Sequence, residues 1–198
     1  MVTAVVIPVK AFARAKRRLA PVLDAAARAN LARTMATTVV TAARPLRTLV
    51  VCDDDAVRAW AHELDVEVVW TPGLGLNGAV AAALDHVLRQ GATQAIVAHA
   101  DLPLATDLSW LAEFDGVTLV PDRHGDGTNA ACVPTGRGFT FAYGAGSCAR
   151  HEAEAGRLGL PLRVVPHGRL GWDVDQPEDL DLPTDVDLPT DVEGAPCP

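Results

Sequence analysis

The chain has 198 residues, 49% of them hydrophobic and 21% charged, which suits one folded domain with a sizeable core. Its longest apolar runs are only a few residues, too short to span a membrane, and Cys52, Cys132, Cys148 and Cys197 form no CxxC or Cys/His cluster, arguing against a zinc site or disulfide framework. The formal net charge of -8 divides unevenly: nine acids and no Lys or Arg follow Arg169, while residues 1–169 hold 17 basic and 16 acidic side chains.

MVTAVVIPVK enters a strand directly and lacks the layout of a signal peptide. With scattered cysteines, this points to the reducing cytoplasm. Val2–Val9 is a β-branched run, as expected of a strand buried on both faces. The loop after it carries Lys10, Arg14, Lys16, Arg17 and Arg18 with no acid before position 21. A cationic beginning, a neutral body and an acidic end suit a small anionic ligand held at one place and argue against a nucleic-acid surface. A helix is predicted from Asp24 to Ala43, then a strand at Thr48–Cys52. One of Asp53, Asp54 and Asp55 caps a helix running to Leu64. Val66–Trp70 is a third strand, Asn77–Gln90 a helix with Asn77 near its N-cap, and Gln94–Ala98 a fourth strand.

This alternation predicts a parallel, doubly wound sheet covered by helices. The second half is more mixed. Short strands are expected at Val117–Val120, Ala130–Val133, Phe139–Tyr143 and Leu162–Val165, with a helix from Ser147 to Leu158. The near-repeat DLPTDV at 181–186 and 187–192 is polar and short. The domain is therefore expected to end at 181, with 182–198 an acidic, disordered tail.

Ligands of open α/β sheets bind beyond the carboxyl ends of the strands. Four segments fall there, each with a plainer reading beside the chemical one. The Lys10–Arg18 loop offers several cations to developing phosphate charge, or is a solvated surface loop. Thr71-Pro72-Gly73-Leu74-Gly75-Leu76-Asn77-Gly78 allows close backbone approach before a helix start, or is a capped turn. Asp101, ahead of Pro103, offers a carboxylate to Mg²⁺, or caps the helix after it. In an extended segment Asp173 and Asp175 share a face while Trp172 and Val174 turn inward, which suggests a packed strand presenting two metal ligands. Otherwise they are the first charges of the acidic end. Beyond Pro177, Glu178 and Asp179 read as a short helix and solvated acids.

Pro121–Asn129 joins two strands with glycines and hydrogen-bonding groups. Phe141-Ala142-Tyr143-Gly144-Ala145-Gly146-Ser147 forms an anion nest at a helix start, or Ser147 is simply an N-cap. His99 and His151 read as structural. There is no HExxH, GxSxG or P-loop, and no GxGxxG after the first strand. The combination favours metal-assisted phosphoryl or nucleotidyl transfer.

Taken in order, IPVKAFARAKRRLAPVL, GLGLNGA, ADLPL, PDRHGDGTNA, FAYGAGSCARH and DVDQPEDL resemble the 2-phospho-L-lactate and phosphoenolpyruvate guanylyltransferases of deazaflavin coenzyme F(420) biosynthesis. The resemblance runs from about residue 4 to 181. It implies a single α/β nucleotidyltransferase domain of the glycosyltransferase-A type, a Rossmann-like three-layer sandwich with a mostly parallel mixed sheet. It also implies GTP and a small phosphorylated three-carbon acid as substrates, with Mg²⁺. By motif position it implies metal ligation by Asp101, Asp173 and Asp175, phospho-acid binding by Thr128, Gly144 and Ser147, and GTP contacts from Lys10, Lys16, Gly75 and Asn77. Lys16 and Arg18 would act in catalysis with Asp101. Gly78 departs from the pattern, where Ala is expected. Phosphoenolpyruvate leads, with 2-phospho-L-lactate or 3-phosphoglycerate as alternatives. A molybdenum-cofactor-type or sugar-phosphate nucleotidyltransferase, a non-catalytic nucleotide-binding module and a homodimer stay open.

Overall fold

In the computed structural model, which describes residues 1–183, the strands form one seven-stranded sheet in the order β3-β2-β1-β4-β6-β5-β7. The strands are β1 (Thr3–Pro8), β2 (Arg47–Cys52), β3 (Glu67–Trp70), β4 (Gln94–Ala98), β5 (Val117–Pro121), β6 (Thr128–Pro134) and β7 (Leu162–Val164). All neighbours pair in parallel except at β6, which runs antiparallel to both β4 and β5. The sheet is thus mostly parallel and mixed, as expected.

Strand alternation explains the two cores. Val5 and Ile7 of β1, Val50 of β2 and Ile96 of β4 point to one face, where they meet α1 (Ala25–Ala42) and α2 (Asp55–Glu63). Ala4, Val6, Leu49, Ala95 and Val97 point to the other, against α3 (Gly75–Arg89) and α4 (Ser147–Arg157). Helix–sheet–helix layering results because the central strands β1, β2 and β4 are apolar on both sides. Two helix starts are fixed by aspartates: Asp24 accepts from Ala27 N–H, and Asp54 from Ala56 and Val57 N–H.

Three expectations are corrected. Phe139–Tyr143 belongs to no strand; its amides go to side chains, with Thr140 N–H donating to Glu154 and Tyr143 N–H to Asn77. Trp172–Val174 is likewise irregular, although Val174 is buried as the alternation requires. Finally, α3 begins at Gly75, so Asn77 lies inside its first turn and does not cap it. Gly78 sits in the same turn, where an added methyl would press within 3.1 Å of Leu74 Cβ. The expected tail, from position 184 on, lies outside the described residues. Among the described residues no helix is long and apolar enough to cross a membrane.

A third, small core anchors the cationic loop. Leu19, at the end of the short 3-10 turn Arg17–Leu19, is fully buried with Met35 of α1 and Val174, against Leu23, Leu31, Trp172 and Leu180. It binds the loop after β1 to the segment carrying Asp173 and Asp175. Leu19→Ala should therefore lower unfolding free energy by about 2–4 kcal/mol in a denaturant titration, as for other buried leucines. A loss below about 1 kcal/mol would show the loop is not anchored there.

Candidate functional site

The chain leaves β1 towards β2 and β3 on one side, then returns to β4 on the other. The carboxyl ends of β1 and β4 thus lie together at a topological switch point, where open α/β sheets form clefts. From β1 comes the loop that holds Lys16; from β4 comes His99-Ala100-Asp101. Lys16 Nζ is 2.6 Å from Asp101 Oδ2 and 3.0 Å from Asp175 Oδ1, with its side chain 8% exposed. Lys16 adopts a left-handed backbone with φ of 51°, which costs a non-glycine residue on the order of 1 kcal/mol. Strain of this kind is retained where surrounding contacts dictate it.

Burial opposes the Lys16 charge, but Asp101 and then Asp175 outweigh it and raise the pKa. Burial likewise favours protonated Asp101, and Lys16, helped by His99, reverses this and holds the carboxyl below its ordinary value. Arg18 is exposed on the solvent side, its guanidinium 3.7 Å from Asp175 Oδ2. Lys10 is exposed just past β1.

The Asp173–Asp175 segment is held by residues that the sequence alone does not single out. Asp179, in the 3-10 turn Pro177–Leu180, is 3% exposed and accepts from the amides of Asp175 and Gln176 at 2.7 and 2.6 Å. It pairs with Arg123, whose guanidinium lies 4.3 Å from the Trp172 ring centroid, and Trp172 Nε1 donates to Asp179 O. Asp179 is thus an internal clamp, a correction to its reading as a solvated acid. Asn129 Nδ2 reaches Asp173 Oδ1 at 3.3 Å, and Val174 N–H donates to Asp101 O.

Burial and then the nearby Asp101 raise the pKa of Asp173, against the Asn129 hydrogen bond. Asp101 Oδ1 is buried without a hydrogen-bond partner. Among the described residues no ready-made cluster of three or more His, Cys, Asp or Glu side chains is gathered for a metal; the Lys16 ammonium stands between Asp101 and Asp175. The donor chemistry still fits a hard divalent cation: three carboxylates, one oxygen unpartnered and one carboxyl disfavoured as an anion by its neighbours.

Across β6 lies a second cluster. Gly144 has φ of +125°, a conformation only glycine adopts readily, and turns the chain into α4. Ser147, the first residue of α4, is 2% exposed, so the N-cap is Gly146. Asp126 fastens this loop by accepting from Gly146 N–H and Cys148 N–H, while the Arg150 guanidinium donates to Ala142 O and Ala145 O. Thr128, 1% exposed at the start of β6, is 3.0 Å from His151 Nδ1. Asn77 joins α3 to the loop: Tyr143 N–H donates to its Oδ1 at 2.8 Å and its Nδ2 reaches Tyr143 O at 3.4 Å. Its amide is engaged with protein, so Asn77 acts by fixing the loop. Gly75, at φ of +63°, opens α3 beside it.

The structure therefore brings Lys16, Arg18, Asp101, Asp173 and Asp175 together. It joins Thr128 to the loop of Gly144 and Ser147, and leaves Lys10 and Gly75 at the margin.

The family described as "Guanylyl transferase CofC like" matches residues 3–182. A phosphoenolpyruvate guanylyltransferase from Sphaerobacter thermophilus is 37% identical over 189 residues, covering 90% of this chain and 91% of that protein. Among solved structures, a nucleotidyl transferase from Methanothermobacter thermautotroptrophicus is similar at a TM-score of 0.62 and 16% identity, over 91% of this chain and 94% of that one. A mannosyltransferase from Pyrobaculum calidifontis, in complex with GDP-Man and Mn²⁺, is similar at a TM-score of 0.54 and 18% identity, over 83% and 54%. These likenesses agree with a nucleotidyltransferase fold of the glycosyltransferase-A type.

The Asp179 clamp has a measurable signature. Burial favours its neutral form, but Arg123 and the amides of Gln176 and Asp175 prevail and hold its pKa below the ordinary carboxylate value. Its contribution is therefore present above the unfolded-state value near 4 and is lost as pH falls through the depressed folded value. Asp179→Asn should cost roughly 1.5–3 kcal/mol at pH 7 in denaturant unfolding, with the difference from wild type shrinking below about pH 4. A constant difference down to pH 2 would mean that the charge is irrelevant.

Proposed function

The chain belongs to the CofC-like guanylyl transferase family, and on that premise we propose that it transfers GMP from GTP to the phosphate of phosphoenolpyruvate, releasing pyrophosphate. The observation that carries this reading is the buried Lys16 ammonium between Asp101 and Asp175, at the switch point of a mostly parallel sheet. A site of fixed positive and negative groups suits the union of two polyanions; it offers no activated side-chain nucleophile.

In the proposed reaction a phosphate oxygen of phosphoenolpyruvate attacks the α-phosphorus of GTP. The bond from that phosphorus to the bridging oxygen breaks, and pyrophosphate leaves with the electron pair. The attacking phosphate is ionised at neutral pH, so no base is required. Lys16, held protonated by its two carboxylates, counters charge developing on the transferred phosphoryl group, and exposed Arg18 counters the departing pyrophosphate. Lys10, Gly75 and the amino end of α3, steadied by Asn77, face the nucleotide. Thr128, Gly144 and Ser147 hold the phosphorylated acid.

Asp101, Asp173 and Asp175 would hold Mg²⁺, a cation suited to carboxylate and phosphate oxygens. When bound, it supplies neutralisation between the two phosphate groups and Lewis-acid stabilisation of the transition state. Asn129 orients Asp173, and the Asp179 clamp orients the whole segment. The work is assigned to the cytoplasm, in deazaflavin coenzyme formation.

Incubation with GTP, Mg²⁺ and each of phosphoenolpyruvate, 2-phospho-L-lactate and 3-phosphoglycerate, with pyrophosphate measured, should give fastest turnover with phosphoenolpyruvate. Faster turnover with another acid would reassign the acceptor, and none with any would contradict the reading. Lys16→Met should lower kcat by at least about 10²-fold, the loss typical of removing one fixed group that stabilises transition-state charge. Near-normal kcat would remove Lys16 from the chemistry. Mg²⁺ should raise Tm of the wild type and much less that of Asp173→Asn; equal shifts in both would remove Asp173 from the metal site.

A further inference from the structure

Thr128, at the start of β6, and the loop through Gly144, 16 residues later, are bridged by one side chain. His151, on the inner face of α4, is fully buried. Ala142 N–H lies 2.9 Å from its Nε2, and Thr128 Oγ1 lies 3.0 Å from its Nδ1. A backbone amide can only donate, so Nε2 is the acceptor. Phe139, Phe141 and Tyr143 surround the ring, with centroids 6.1, 5.2 and 5.1 Å away. Burial, with Arg150 and His99 nearby, holds the His151 pKa down to about 4. The imidazole is therefore neutral at neutral pH, with its one proton on Nδ1. That proton goes to Thr128 Oγ1 and occupies one of its lone pairs. The Thr128 hydroxyl hydrogen is then left to donate elsewhere.

We infer that His151 is a positioning residue: by donating to Thr128 Oγ1 and accepting from Ala142 N–H, it aims the Thr128 hydroxyl hydrogen at an anionic oxygen of the phosphorylated acid. The inference rests on the proposed role of Thr128 in holding that acid. The same ring touches both Thr128 and the segment leading into the Gly144 turn, so two halves of one anion cradle share a support. It also explains why a histidine occupies an aromatic core: Phe would fill the space but could neither accept nor donate.

Two side chains separate the two hydrogen bonds. His151→Asn keeps an amide donor where Nδ1 stands, and His151→Gln keeps an acceptor where Nε2 stands. Thr128→Val and His151→Gln should each raise KM for phosphoenolpyruvate by about 10-fold or more, leaving KM for GTP within about twofold. His151→Asn should recover most of that loss, and His151→Gln should add little in the Thr128→Val background. Equal rises in both KM values, or full additivity of the two substitutions, would overturn the positioning role.

Two-bond nitrogen–proton spectra of the wild-type protein provide a readout independent of turnover. They should show a neutral His151 with its proton on Nδ1 between pH 6 and pH 8, roughly two units or more above its titration. A proton on Nε2 would overturn the inference. If the wild type failed to turn over, the reaction assignment would fall, while the tautomer would still decide this claim.

Discussion

One ammonium group, Lys16 Nζ, bridges carboxylates that are 85 and 159 residues away in the chain. Removing a charge from water costs several kcal/mol, and the cost is recovered only where partners stand at hydrogen-bonding distance. The Lys16 side chain therefore cannot be buried unless the β1 loop, the end of β4 and the segment after Trp172 arrive together. Their arrival is fixed by apolar contacts beneath: Leu19 against Met35 and Val174 anchors the loop and the acidic segment to α1. The parallel pairing of β1 with β4 sets the third point. The left-handed backbone at Lys16 is the local cost of this convergence.

Around that centre the fold uses carboxylates in two different ways. Asp179 and Asp126 are structural acceptors, satisfied by backbone amides and, for Asp179, by Arg123. Asp101, Asp173 and Asp175 are incompletely satisfied: one Asp101 oxygen is unpartnered, and Asp173 resists ionisation beside its neighbours. The first kind builds rigid loops; the second leaves electrostatic demand for a cation. A nucleotidyltransferase needs both, because its chemistry depends on placing charged groups before the substrates arrive.

Much of this was legible in the sequence, for physical reasons particular to each element. β1, β2 and β4 are buried on both faces and so read as continuous apolar runs, and α1 and α2 carry aspartate caps. Asp101, Asp173 and Asp175 stood out by position at strand ends and by spacing. Other features did not, because composition cannot separate like from like. In composition Asp179 looks the same as the other acids of this segment until its contact with Arg123 is known. Asn77 suits a cap or a turn, and only the path of Tyr143 shows that it binds that backbone. Phe139–Tyr143 alternates like a strand, yet Glu154, His151 and Asn77 take its amides in place of a neighbouring strand. Lys16 is one of five cations in its loop; the resemblance picks it out with Lys10 and Arg18, and burial between Asp101 and Asp175 sets it apart from both.

In the proposed reaction this switch-point site joins the phosphate of the acid to the α-phosphorus of GTP. Its most direct test is to run the reaction with phosphoenolpyruvate whose phosphate oxygens are ¹⁸O, and to follow the label by mass spectrometry. All of the label should stay in the guanosine diphospho-acid, and pyrophosphate should be unlabelled. Label in pyrophosphate, or a labelled product lacking guanosine, would contradict the claim.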